Sequence, residues 1–231
     1  GEWVFKESVA ETVRIKEIIK NDFQMSVNTS PLQYGKNGMN VSDWFSHIIT
    51  SGLSGKDIAE MMLKDNGITD VTITCVPGQL TDHYNPMNKT VNLSEGVYSG
   101  RNAAAVAVSA HECGHAVQHA KAYAPLQWRS KLVPIQNASG MILNVVMMAS
   151  IFAGSFLYKT FPMEGVLWVV CIAYGAIALF SFVTLPVEFD ASKRALAWIE
   201  NSGIATHEEF NNSKDALKWA AMTYVVAALG A

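Results

Sequence analysis

The sequence predicts an α+β chain that is mostly helical: a small β-sheet beside a helix that carries two histidines, followed by a hairpin of two apolar helices. Three observations lead there. Residues 71–76 and 90–94 are short and rich in β-branched side chains. Residues 110–116, AHECGHA, set two histidines four apart in an alanine-rich stretch. Two later runs, 132–158 and 165–187, hold no charged side chain.

Bulk properties agree. The 231 residues suffice for one large domain, or for one domain plus membrane spans. Half are hydrophobic and only 16% charged, below the roughly 25% of a soluble domain, so the composition leans toward a lipid bilayer as partner. The net charge of -3 comes with no basic stripe, and nucleic acid is not an expected partner. Cys75, Cys113 and Cys171 are odd in number and far apart, which implies no disulfide framework and fits a reducing compartment. Cys171, inside an apolar run, reads as a packing residue. Cys113, between Glu112 and Gly114, would need a basic neighbour to act as a redox nucleophile, a role not expected of it. Asn-x-Ser/Thr triplets at Asn28, Asn40, Asn88, Asn92, Asn137 and Asn211 read as chance occurrences.

Residues 3–23 space apolar and charged side chains as an amphipathic helix, too charged to span a bilayer and without the apolar centre of a signal peptide. Residues 24–52 read as loop. Ser54 and Asp57 form a capping-box start before Ile58, Met61, Met62 and Leu63, and Asn66-Gly67 ends that helix. Val71–Val76 reads as a strand broken by Pro77-Gly78. A loop with His83 and Tyr84 turns at Asn85-Pro86 and leads to a second strand, Thr90–Ser94. Asn102 is a plausible N-cap for a helix to Ala120.

A helix of ~20 residues crosses a ~30 Å hydrocarbon core, and both uncharged runs are long enough. The short link 159–164 makes them a hairpin; the alternative is a buried helix pair in a soluble core. Glu188 opens a new helix after Pro186. The apolar stretch 219–231 is either a core helix or the start of a third span. The chain thus divides into 1–53, without a placed role, 54–131 with the histidine helix, the hairpin 132–187, and 188–231.

On a helix, His111 and His115 share one face, about 6 Å apart along the axis, and can offer two ring nitrogens to one ion. Zn2+ prefers four ligands, commonly nitrogen, sulfur or carboxylate oxygen. Glu112, rotated by about 100°, stands beside such an ion, where a general base takes a proton from water. A third ligand is needed. His119 lies ~12 Å along the axis from His111 and reads as an ordinary polar residue. Glu188, at the mouth of the second apolar run, is the favoured third arm, with Asp190 its competitor.

With these residues identified, the chain resembles the YugP-type neutral zinc metallopeptidases and, more distantly, HtpX-type membrane proteases, over about residues 54–229. The resemblance rests on VPGQLTDHYNP (76–86), KTV (89–91), LSE (93–95), AHECGHAVQH (110–119), LVP (132–134) and LPVEFDAS (185–192). It implies a zincin-like metal helix, Zn2+ on His111, His115 and Glu188, Glu112 as base, and a peptide or membrane-protein substrate. Two departures stand out. Residues 1–53 match nothing where such proteins begin with an apolar span. Related proteins carry an acidic residue four after the ligand glutamate, where this chain has Ser192.

His83 and Tyr84 carry donors that can polarise a scissile carbonyl, or serve only structure. Thr90–Ser94 is either an edge strand for substrate or an exposed hairpin. Lys121, Arg129 and Lys131 precede the apolar pair, and Lys193 and Arg194 follow it, whereas its tip has Lys159 against Glu164. By the positive-inside rule the active-site side of this multi-pass membrane protein is cytoplasmic. The leading expectation is a membrane-anchored zinc endopeptidase. A non-catalytic, zinc-stabilised membrane module is the alternative. An intramembrane protease fits less well, since Arg101 and Lys121 bracket the histidine helix.

Overall fold

The computed structural model describes residues 49–230. The helix expected over 3–23 and most of the loop over 24–52 lie outside them. By contacts, the described chain forms two units, one of residues 49–121 with 188–223, the other of 122–187 with 224–230.

In the first unit, helix α1 spans Gly55–Asp65. Ser54 Oγ accepts from the Asp57 N–H at 3.3 Å and the Asp57 carboxylate accepts from the Ser54 N–H at 2.8 Å. The capping box is therefore complete, and such caps are worth about 1 kcal/mol. The helix ends at Asn66, where Gly67 takes the left-handed conformation, φ +69°. Its inner face buries Ile58, Ala59, Met62 and Leu63.

Among the described residues one sheet has three strands, β1 (Thr72–Val76), β2 (His83–Asn85) and β3 (Thr90–Ser94), in the order β1-β3-β2. β1 runs parallel to β3 with Thr72 opposite Thr90; β2 runs antiparallel to it with His83 opposite Asn92. Two expectations are corrected. His83 and Tyr84 lie on a strand rather than in a loop: three residues carry no readable period, but Tyr84 is buried and pairs with Val91. Thr90–Ser94 is the central strand, neither a free edge nor an exposed hairpin, because both of its sides are paired. A short helix α2, Glu95–Tyr98, which the sequence did not suggest, follows β3.

Helix α3 spans Ala103–Ala120, with Asn102 Oδ1 accepting from the Ala105 N–H at 2.8 Å. Its small side chains let it be buried on nearly every side, against a core that includes Ile58, Met62, Val91, Leu93, Ala195 and Ile199.

Helix α4 covers Ala124–Thr160, with Ala153 outside helical geometry (φ -137°, ψ 29°). Helix α5 covers Met163–Ser202. The break expected at Pro186 does not occur: α5 runs through it. A proline forfeits one ladder hydrogen bond, and the turns beyond it are held by the buried side chains of Ala191, Ala195 and Ile199. Helix α6, His207–Gly230, absorbs the apolar stretch at 219–230 and buries Leu217 and Ala221. Among the described residues, α4 over Ala124–Gly154 and α5 are long and apolar enough to cross a membrane. They expose Val145, Phe152, Trp168 and Ile172. Cys171 is exposed as well, not a packing residue.

Within the first unit the start of the described chain is tied to α6. The Thr50 N–H and Oγ1–H both donate to Glu209 Oε1, at 2.6 and 2.8 Å. Glu209 Oε2 accepts from the Thr206 N–H at 2.7 Å, and Thr206 Oγ1 accepts from the Glu209 N–H at 3.3 Å, a second capping box.

Candidate metal centre

The helical repeat of α3 stacks His111 over His115, with ring centroids 4.8 Å apart and planes at 83°. Glu188, on α5, faces both. Its Oε2 lies 3.2 Å from His111 Nε2 and 3.6 Å from His115 Nε2. The three candidate ligand atoms lie within 4.8 Å of one another.

Close helix contact makes this meeting possible. A Cβ added at Gly114 would stand 2.6 Å from the Ala191 carbonyl oxygen, so only glycine lets α5 approach α3 so tightly. Glu188 lies three residues before Ala191, on the same turn of α5.

The donor set fits a zinc ion. Glu188 is only 2% exposed, and a buried carboxylate is costly without a cation or hydrogen-bond donors. Both imidazoles point Nε2 at it, while their Nδ1 atoms are held elsewhere. His111 Nδ1 meets Ser192 Oγ at 3.1 Å, and His115 Nδ1 meets Gln118 Oε1 at 3.0 Å. Two imidazole nitrogens and one carboxylate leave a fourth position open, the pattern of catalytic rather than structural zinc sites.

Asp190, the competing third arm, is not in this cluster. Its Oδ2 accepts from Gln118 Nε2 at 2.8 Å and from Arg194 Nε at 2.6 Å. His119 is also outside it, as its spacing predicts, with Nδ1 2.8 Å from the Tyr84 hydroxyl.

Glu112 is buried beside the cluster. Burial pushes its carboxyl up to about 7, with the Glu188 and Asp82 carboxylates adding to the rise. His111 and a hydrogen bond from the Tyr84 backbone N–H act the other way. A carboxyl in this range suits a group that must both take and return a proton near neutrality.

The side chains of His83 and Tyr84 are engaged outside the cluster. Burial, with the Asp70 charge second, pushes the Tyr84 phenol up to about 12. His83 Nδ1 lies 2.7 Å from the Thr81 carbonyl oxygen, which can only accept, so that nitrogen carries the proton; Nε2 then accepts from Asn92 Nδ2 at 3.2 Å. Cys113 is buried, and burial pushes its thiol well up, away from nucleophilic use. Sequence reasoning missed Gln118 and Asp82. Gln118 stands three residues after His115, a spacing that signals contact on a helix. Asp82 accepts from the Ser94 N–H at 2.7 Å and so locks β2 to the end of β3.

Residues 35–231 match the family described as "Putative neutral zinc metallopeptidase". The "Putative membrane protease YugP" of Bacillus subtilis (strain 168) is 38% identical over 180 residues, which cover 78% of this chain and 76% of that protein. No solved structure matches. The chain belongs to the neutral zinc metallopeptidase family, and its His111–His115–Glu188 cluster is a donor set that can hold the metal of that family.

Proposed function

We propose that this protein is a membrane-anchored endopeptidase that hydrolyses peptide bonds with zinc held by His111, His115 and Glu188. The observation that carries the reading is the convergence of these three side chains, with the buried Glu112 carboxyl alongside. Zinc in such a site supplies an electrophile for the scissile carbonyl and lowers the pKa of water. Glu112 takes the proton of the attacking water and hands it to the leaving nitrogen. His83 and Tyr84 serve the reaction with their rings only when these turn from their present partners toward the substrate carbonyl.

The arrangement is zincin-like in that one helix presents both histidines beside a small sheet. The apolar parts of α4 and α5 form the membrane hairpin, a role supported by their length and exposed apolar side chains and by the printed name of the Bacillus subtilis relative. The basic flanks at Arg129, Lys131, Lys193 and Arg194 favour a cytoplasmic catalytic unit.

The test is Glu112→Gln in the full chain. Metal analysis should find zinc retained, while digestion of casein or of an unfolded membrane protein falls about 100-fold or more. Full activity of the variant would remove Glu112 as the base. Wild type that holds zinc yet cleaves nothing would favour a zinc-stabilised module without catalysis.

A further inference from the structure

A hydrogen-bonded chain of four side chains runs away from the candidate metal centre. His115 Nδ1 meets Gln118 Oε1 at 3.0 Å, Gln118 Nε2 meets Asp190 Oδ2 at 2.8 Å, and Arg194 Nε meets the same Oδ2 at 2.6 Å. Gln118 is fully buried.

The direction of each bond follows from what each group can offer. A carboxylate has only acceptors and a guanidinium only donors. Arg194 therefore donates to Asp190. Asp190 must in turn receive a donor from Gln118, which turns the amide NH2 toward it. The amide oxygen is left facing His115. An oxygen can only accept, so His115 must carry its proton on Nδ1. In the neutral ring Nε2 then holds a lone pair on the side of Glu188. At His111 the Nδ1 partner sets no direction, since the Ser192 hydroxyl can donate or accept.

We infer that Asp190, acting through Gln118 and held by Arg194, fixes the tautomer of His115, so that Gln118 and Asp190 are positioning residues for the Nε2 lone pair. That this lone pair serves zinc rests on the ligand reading above; the tautomer itself does not. Asp190 thus acts one step behind a ligand rather than as one.

The experiment uses the full chain in detergent micelles with 15N-labelled histidine. Its readouts are the tautomer of His115 in the metal-free protein, zinc affinity by chelator competition, and thermal unfolding. Wild type should show His115 protonated on Nδ1. Asp190→Ala removes the acceptor that orients Gln118, so the amide can turn over, and the variant should give a mixture of tautomers and a 10- to 100-fold loss of zinc affinity, the usual range for groups that orient a ligand. Gln118→Glu sets two carboxylates against each other and should lose at least as much. The double variant Gln118→Glu with Asp190→Asn restores a donor opposite an acceptor and should recover most of that loss. A metal-free wild type with the His115 proton on Nε2 would overturn the inference. So would Asp190→Ala with unchanged tautomer and affinity, or a double variant no better than Gln118→Glu. Wild type with the Nδ1 proton but no zinc uptake would uphold the relay and sink the ligand reading instead.

Discussion

Gly114 lies directly against Ala191: a Cβ at position 114 would come within 2.6 Å of the Ala191 carbonyl oxygen. A backbone oxygen cannot swing aside as a flexible side chain can. Gly114→Ala should therefore force α5 away from α3, at a cost of about 1–3 kcal/mol for overpacking, and should carry Glu188 away from His111 and His115. Both the melting temperature and the zinc affinity should drop. A variant as stable and as tight as wild type would show that the contact is not needed.

Glu188 and Asp190 are two residues apart yet meet different partners, the two imidazoles in one case and Gln118 and Arg194 in the other. Glu188→Ala should weaken zinc binding by more than the roughly 100-fold that bounds the loss of an orienting residue. Asp190→Ala should stay within that bound. Chelator competition on the two variants checks the order, and the reverse order would make Asp190 the ligand.

The Thr50–Glu209 tie should make stability depend on acid. Burial raises the Glu209 carboxyl, but the hydrogen bonds from Thr206 and Thr50 outweigh it, and the net result is below the ordinary 4.5. A lowered carboxyl stabilises the fold above its unfolded value and loses that contribution as pH falls through the folded one. Wild type should thus lose stability below about pH 4.5 more steeply than Glu209→Gln. At neutral pH that variant should be less stable by roughly 1.5–3 kcal/mol, the worth of hydrogen bonds to a charged group. Thermal melts across pH 3–7 provide the comparison.

Ile172 is 68% exposed in the second apolar run, four residues before its centre. If that run spans lipid, Ile172→Arg should raise the cost of insertion by about 2.5–3.5 kcal/mol. The variant should shift from the membrane fraction to the soluble or degraded fraction, as carbonate extraction would show. A variant extracted like wild type would argue that this face meets protein or water.

The sequence was most legible where a local rule was strong. Asn102 followed by an unbroken small-residue run marked α3, Ser54 with Asp57 marked α1, and the end of an uncharged run pointed to Glu188. Legibility failed where the outcome is decided by distant partners. β2 exists because Tyr84 pairs with Val91, and nothing in its three residues shows that. Strand order put Thr90–Ser94 in the middle, and order is a tertiary property. Pro186 is a helix breaker by local preference, yet packing beyond it overrides that preference. Gln118 and Asp190 lie 72 residues apart, too far for either to be read from the other.

The cluster also has a history in time. His111 and Glu188 are 77 residues apart, and ribosomes add roughly 5–20 residues per second. About 4–15 s of translation therefore separate the two. Throughout that interval the nascent polypeptide has both imidazoles but not the carboxylate, and it acquires the carboxylate only after the second apolar helix has been synthesised. The donor set is thus incomplete until the whole apolar hairpin has been made, and no metal can be held by all three side chains before then.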